Sequence, residues 1–147
     1  MKVDIGRVVS YEVSKISIIS LRFYKVKDEL FILVRYEWID SQGTVINTNV
    51  KRYTRQQLVD VGTSNGQDLT GLVGALTSLI PVDGKNQSLH IVFKDNVVTF
   101  RGFSNIEVDG VKKWESKTYT TSELTNVGID NDAFVELVRL FAVQLTI

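Results

Sequence analysis

The chain of 147 residues contains no cysteine, one proline and one histidine. Without cysteine it can form neither disulfide bonds nor zinc sites with thiolate ligands. Its 17 basic residues balance 17 acidic ones, whereas a domain held on nucleic acid by overall charge carries a basic surplus. No apolar run approaches the ~20 residues of a transmembrane helix, and the N-terminus lacks the apolar core of a signal peptide. We therefore expect a protein made in the cytoplasm, with no membrane partner and with charges that do not favour nucleic acid.

The chain does contain one motif twice. Residues 53–62 read YTRQQLVDVG and residues 119–128 read YTTSELTNVG, so that Tyr, Thr, Leu, Val and Gly fall in the same register. In each copy a Thr precedes a Gln or Glu by three positions, which is the spacing of a helix capping box. The final glycine of each copy is a candidate left-handed stop. Each motif therefore predicts the end of a strand and the start of a short helical turn.

Alternating apolar and polar residues predict strands on both sides of the first motif and before the second. The predicted strands cover residues 3–13, 15–24, 30–39, 44–53, 88–93, 97–108 and 111–119. Alternation slips near Ile19 and Ser20, which indicates a β-bulge. Gly102 is expected to interrupt its strand. Turns are predicted at residues 25–29, 40–43, 94–96 and 109–110.

Two helices are predicted, over residues 67–80 and 131–145, with Pro81 after the first and Asp130 capping the second. Their apolar stripes match position by position, with Leu69, Leu72, Val73, Leu76 and Ile80 in the first and Phe134, Leu137, Val138, Phe141 and Leu145 in the second.

These patterns predict an α+β fold built from a tandemly duplicated strand-strand-strand-helix unit. The two copies cover residues 16–80 and 88–145 of a single domain, 1–147, with a leading N-terminal strand. We expect a mainly antiparallel sheet with two helices packed on it, and a pseudo-twofold axis between the copies.

No catalytic constellation is evident. His90 has no second histidine with which to form a metal site or a triad, and the strand around it predicts an exposed position. The acidic cluster at residues 130–132 fits a helix N-terminus. The glycines around the first helix lack the Lys-Ser/Thr that a phosphate-binding loop requires. We therefore expect neither enzymatic activity nor a metal or cofactor.

The backs of the two helices are unusual for surfaces that face water. Glycine costs about 1 kcal/mol relative to alanine inside a helix, and the first helix carries two on its outer side. The second helix is apolar nearly all round, which is typical of a helix covered on both sides. The predicted assembly face comprises Gly71, Gly74, Ala75, Ser78, Leu140 and Val143.

A basic and aromatic group recurs at equivalent places in the two halves. It comprises Lys51, Arg52, Tyr53, Lys113, Trp114 and Lys117. Basic residues among aromatic ones can bind single-stranded nucleic acid, but lysine also protects the edges of sheets from aggregation. We favour protected edges and keep a module that binds nucleic acid or another ligand as the alternative.

The hairpin sequence at residues 36–45, the Y-T-x-x-x-L junction at residues 53–58 and the Leu-rich helix that follows resemble small structural proteins of tailed bacteriophages. The resemblance implies a virion component of the neck, tail or baseplate. Such a protein would contact other virion proteins and copies of itself, without catalysis. The duplication departs from the single unit usual in such proteins, and no functional residue follows from the resemblance.

Overall fold

The computed structural model describes residues 2–5, 9–12, 15–94 and 97–145, with side-chain surroundings for the last two ranges. The elements in these residues are β1 (Lys2–Ile5), β2 (Val9–Glu12), β3 (Lys15–Val26), β4 (Glu29–Ile39), β5 (Val45–Thr54), α1 (Arg55–Ser64), α2 (Thr70–Ser78), β6 (Lys85–Lys94), β7 (Val97–Val108), β8 (Val111–Thr118), α3 (Thr121–Asn126) and α4 (Asn131–Leu145).

Six strands form one antiparallel sheet in the order β5-β4-β3-β6-β7-β8. Each half of the chain supplies a three-stranded meander, and the two meanders join in the middle, where Arg22 on β3 lies opposite His90 on β6. The predicted α+β class and mainly antiparallel sheet are confirmed. The described chain has four helices where two were predicted, because the short turns of both motifs are helical.

The N-terminal segment differs from its prediction. Strands β1 and β2 form a separate two-stranded sheet, in which Ile5 lies opposite Val9. The single strand predicted for residues 3–13 is therefore wrong. Two short strands satisfy each other's backbone groups, which a lone strand outside the six-stranded sheet would leave unpaired.

Two-residue turns connect β3 to β4 and β7 to β8. Lys27 and Asp28 have φ angles of 51° and 66°, and Asp109 and Gly110 have 53° and 78°. Positive φ at both positions is the hairpin geometry that matches strand twist, so these two predicted turns are confirmed. The turn predicted at residues 94–96 lies largely outside the described residues.

Gly102 does not interrupt β7, contrary to the prediction, because the strand continues on both sides of it. A Cβ at this position would lie 3.1 Å from Cγ of Pro81 and 3.2 Å from the hydroxyl of Tyr119. The absence of a side chain at Gly102 therefore allows Pro81 and Tyr119 to pack closely against the sheet. The bulge predicted near Ser20 is confirmed by a shift in the register of β3 against β4.

The two motif glycines behave differently. Gly128 has a φ of 85° and follows α3, as predicted. Gly62 was also expected to end its turn, but it lies inside α1 and is buried. A Cβ there would lie 2.6 Å from Cγ of Leu69, so close packing between the end of α1 and the start of α2 selects this glycine. The left-handed glycine that follows α1 is Gly66, with a φ of 73°.

The helices pack on one face of the sheet and bury both predicted stripes. Nine of the ten stripe residues are buried, and Val138 is partly buried against the same core. The prediction for residues 131–145 matches α4, whereas α2 is shorter than the predicted 67–80. Fully buried side chains at the centre of the core are Leu21, Phe23, Ile32, Val34, Leu58, Val73, Leu76, Leu89, Ile91, Leu137 and Phe141.

Candidate functional site

The predicted assembly face is open along α2. An added Cβ at Gly71 or Gly74 would meet no atom within 4 Å, apart from the helix itself and adjacent residues. Ala75 packs partly against the core, and the exposed Ser78 hydroxyl donates to the Ala75 carbonyl at 2.6 Å. No described part of the chain therefore packs tightly on the two glycines. The face is narrower than predicted, because Ala75 belongs partly to the core.

The part of this face assigned to the second helix needs a correction. Leu140 is 1% exposed and belongs to the hydrophobic core, so it cannot contribute to an outer surface. It is buried because α4 contacts both the sheet and α1. Val143 is 42% exposed.

The alternative basic and aromatic group is divided by strand alternation. On β5, Tyr53 points into the core and is 3% exposed, while Arg52 lies opposite Leu33 on the other face of the sheet. Lys51 shares the helix-covered face with Tyr53, with its ammonium 5.4 Å from the centre of the Tyr53 ring. Because successive strand residues point to opposite faces, these three neighbours in sequence cannot form one surface.

The same division occurs on β8. Trp114 and Lys113 are adjacent and therefore point to opposite faces, and Trp114 is 62% exposed. Lys117 Nζ lies 2.6 Å from the Glu123 carboxylate, and this contact lowers the pKa of Glu123. Both β5 and β8 are edge strands of the sheet, where their lysines disfavour pairing with any strand that lacks complementary charges.

The two motif tyrosines have different partners. The Tyr119 hydroxyl donates to the Leu79 carbonyl at 2.6 Å and so ties the end of β8 to the end of α2. The Tyr53 hydroxyl is buried and has no hydrogen-bond partner among the described residues. Burial, followed by the neighbouring Tyr36, raises the pKa of Tyr53 to about 12. Tyr53 and Gln144 line a small cavity of about 290 Å³ beside α1.

The face of the sheet away from the helices carries a group of residues that was not predicted from the sequence. One row across all six strands, called here the arginine row, consists of Arg52, Leu33, Arg22, His90, Arg101 and Thr118. The adjacent aromatic row consists of Thr54, Phe31, Tyr24, Ser88, Phe103 and Ser116. On the other side of the arginine row lie Val50, Arg35, Ser20, Val92 and Thr99.

Guanidinium groups and rings contact one another in these rows. Tyr24 and Phe31 stack with their centroids 5.6 Å apart. The guanidinium of Arg22 lies 5.4 Å from the centre of the Tyr24 ring, and that of Arg52 lies 5.1 Å from the centre of the Phe31 ring. These distances are within the range of cation–π attraction. Phe31, Tyr24 and Phe103 are each partly exposed.

His90 lies at the centre of this face, on the side of its strand that was predicted to be exposed, and its side chain is partly buried. Its ring packs on Phe103 with the centroids 4.7 Å apart. Burial and the positive charge of Arg22 lower the pKa of His90. Strand alternation could have grouped the residues within each strand, but placing Arg22 beside His90 required the strand order.

Comparison with known proteins identifies no relative: no protein-family model, curated protein or solved structure matches the chain. Among the described residues, no helix is both long and apolar enough to cross a membrane. Those residues also contain no group of three or more His, Asp or Glu side chains suited to holding a metal ion.

Proposed function

We propose that the chain is a structural assembly protein of a tailed-phage virion, which acts through contacts with copies of itself and with other virion proteins, without catalysis. The virion context is supported by the sequence resemblance. The contact is supported by one observation, the edge strand β8. All eight of its residues are exposed, and of the described strands it pairs only with β7.

An exposed edge of this length can pair with a strand of another chain. Its unpaired backbone groups provide hydrogen bonds, and its side chains determine which partner fits. Trp114 lies near the middle of β8 and is 62% exposed. A partner strand that covers it would remove the apolar surface of its ring from contact with water, which is favourable. Edge pairing would therefore satisfy both the backbone and the largest exposed ring of β8.

The side chains of β8 are complementary to a second copy of β8. In an antiparallel pair centred on Trp114, the two tryptophans face each other and Lys113 of each copy faces Glu115 of the other. Opposite charges and aromatic pairs at facing positions each contribute roughly 0.2–1 kcal/mol. The other edge, β5, carries Lys51 and Arg52 but no acidic residue. Of the two edges, β8 is therefore the better suited to self-pairing.

Charge reversal tests this contact. The expected result is that the wild-type chain forms a dimer whose mass, measured by light scattering or sedimentation, depends on concentration. Glu115→Lys should shift the population to monomer, because lysine then faces lysine. The double variant Lys113→Glu/Glu115→Lys restores opposite charges and should restore the dimer. A monomeric wild type, or a double variant no better than the single one, would contradict pairing through β8.

The open side of α2 offers a second contact surface. If a neighbouring protein packs closely on Gly74, Gly74→Leu should weaken assembly while the circular dichroism spectrum stays unchanged. Gly74→Ala is the matched control. On a helix face that contacts only water it should raise the free energy of unfolding by roughly 1 kcal/mol. If both variants assemble normally, α2 is not a contact surface.

The virion assignment has its own test. Particles produced from the genome that encodes this chain should contain it at a fixed ratio to the major structural proteins, measured by mass spectrometry of purified virions. Its absence from such particles, with the dimer intact in solution, would reject the virion role and leave the β8 contact standing.

The tandem duplication belongs to the same proposal. Ile32 and Phe100, 68 positions apart, pair with Tyr53 and Tyr119. Arg22 and His90, also 68 positions apart, face each other at the centre of the sheet. A duplicated unit whose copies meet around a pseudo-twofold axis accounts for both relations. Superposition of residues 16–80 on 88–145 by a rotation far from 180° would contradict it.

A further inference from the structure

The balanced composition of the chain conceals an uneven distribution of charge. The arginine row and the rows on either side of it contain Arg22, Arg35, Arg52 and Arg101 together with His90, and none of their positions is acidic. The ion pairs among the described residues, Lys117–Glu123 and Arg139–Glu136, do not involve these four arginines. These three rows in the middle of the face are therefore positively charged, whereas Glu29 and Glu37 lie in the rows beyond them.

Apart from Arg22, these arginines are well exposed. Arg101 uses its Nε to donate to the Thr118 hydroxyl at 3.1 Å, which leaves its terminal nitrogens without a partner among the described residues. The Nε of Arg22 is buried and has no hydrogen-bond partner in the described part of the chain. A guanidinium group presents several donors in a fixed plane that suits phosphate oxygens. The face therefore offers phosphate-binding groups that form no ion pair with a described carboxylate.

Aromatic rings lie beside these cations. Tyr24 and Phe31 form one platform on β3 and β4, and Phe103 with His90 forms another on β7 and β6. Since neighbouring strands lie about 4.8 Å apart, the Tyr24 and Phe103 positions are separated by roughly 10 Å across β6. Two separated platforms next to a row of cations suit bases that stack and phosphates that pass alongside.

We infer that this open sheet face binds single-stranded nucleic acid. A broad sheet face does not enter a duplex groove, and stacking on its rings requires bases that are free of a complementary strand. An acidic protein segment or an anionic membrane would use the arginines but would gain nothing specific from the two ring platforms. The inference is independent of β8 pairing, because the variants that test it lie on other residues.

The test measures the fluorescence anisotropy of labelled oligothymidylate and oligouridylate at low salt, with a duplex of equal length as the comparison. Wild-type protein should bind the single strands at least ten-fold more tightly than the duplex. Arg52→Ala/Arg101→Ala should weaken this binding about ten-fold or more. Each lost phosphate contact should also reduce the slope of log affinity against log salt by about 0.7.

The matched control is Lys25→Ala/Lys51→Ala. It removes the same charge from exposed positions of strands in the same sheet, but on the helix-covered side, where Lys25 pairs with Leu30 and Lys51 with Val34. This variant should bind within about two-fold of the wild type. Phe103→Leu, which keeps an apolar side chain on the partly exposed site, should weaken single-strand binding about ten-fold with an unchanged salt slope, since it removes stacking and no charge.

Three results would overturn the inference. One is the absence of binding to either single strand at low salt. Another is equal loss of affinity in the two double variants, which would show that only net charge matters. The last is binding to duplex, to polyglutamate or to anionic phosphatidylserine vesicles that equals single-strand binding and does not respond to Phe103→Leu.

Discussion

The two halves of the chain follow the same plan up to the motif and then diverge. In each half a meander of three strands ends at a Tyr-Thr pair, and the threonine caps a helix. After the cap, α1 runs for 10 residues and α2 for 9, whereas α3 runs for 6 and α4 for 15. The helical segment that follows the cap is thus divided at different points in the two halves.

Local packing explains where each division falls. In the second half, Gly128 takes a left-handed conformation and ends α3 within two turns, and Asp130 then accepts from the Asp132 N–H at 2.7 Å and caps α4. In the first half Leu69 packs onto Gly62, so α1 continues and the chain turns at Gly66. One side chain, Leu69, thereby changes the role of a glycine that both motifs share.

Substitution of the two motif glycines should give the largest change in the free energy of unfolding, and it should distinguish their roles. Gly62→Val should lower the free energy of unfolding by about 1–3 kcal/mol, because its side chain would overlap Leu69 and the Gln67 carbonyl. Gly128→Ala should cost about 1 kcal/mol through backbone strain alone, because a Cβ there would meet no atom within 4 Å. Urea unfolding of both variants measures the difference.

Asparagine provides the control, since it tolerates a left-handed backbone better than alanine does. Gly128→Asn should therefore recover part of the loss seen with Gly128→Ala, whereas Gly62→Asn should remain destabilised. Equal responses at the two positions would mean that both glycines serve the same purpose.

The capping boxes should behave alike. Thr54 Oγ1 accepts from the Gln57 N–H at 3.1 Å, and Thr120 Oγ1 accepts from the Glu123 N–H at 3.2 Å. Thr54→Ala and Thr120→Ala should each cost about 1 kcal/mol in thermal or urea unfolding. Serine at either position keeps the acceptor and should restore most of the stability. A loss confined to one half would show that the other cap contributes nothing.

Much of the structure that the two halves have in common could be predicted from the sequence. The capping boxes, both apolar stripes and the two-residue turns depend on residues within a few positions of one another, so their patterns indicated the structure directly. The function of Gly62 could not be predicted in the same way. It depends on Leu69, which lies beyond the turn and touches the glycine only after both helices have formed.

The arginine row could not be predicted from the sequence for a related reason. Alternation alone separates Arg52 from Lys51 and Tyr53, and this separation can be recognised in the sequence. Local sequence patterns could not predict that Arg22 lies opposite His90, because these two residues of the central strand pair are 68 positions apart. Pairing of such distant segments is set by the packing of the whole sheet, and local periodicity carries no information about it.

The two motif tyrosines should also differ in their contributions to the free energy of unfolding, but by less than the glycines. Tyr119→Phe removes the hydrogen bond to Leu79 and should cost about 0.5–1.5 kcal/mol. Tyr53→Phe removes a buried hydroxyl without a partner among the described residues, so it should leave the free energy of unfolding unchanged or raise it. Urea unfolding of the two variants side by side tests this. A comparable loss in Tyr53→Phe would reveal a partner for its hydroxyl.

Alkaline titration gives a second test of the burial of Tyr53. Because burial raises the pKa of Tyr53 to about 12, the unfolded chain releases this proton near its ordinary value of about 10 while the folded chain retains it. The free energy of unfolding should therefore fall as pH rises from about 10 to 12, and Tyr53→Phe should reduce that fall. An unchanged pH dependence in the variant would contradict the assignment.

The smallest effect concerns the centre of the sheet, where Arg22 in one half faces His90 in the other. His90 can lose its proton, and the groups that face it, Arg22 on β3 and Arg101 and Phe103 on β7, include no carboxylate. The pKa of His90 is lowered in the folded chain. As pH falls below about 6.5, the unfolded chain therefore takes up the proton first, and stability should decline and then level off below the folded pKa. His90→Gln should show a shallower decline in urea midpoints across this range. Wild type and variant with parallel pH dependence would mean that His90 is as free to ionise in the folded sheet as in the unfolded chain.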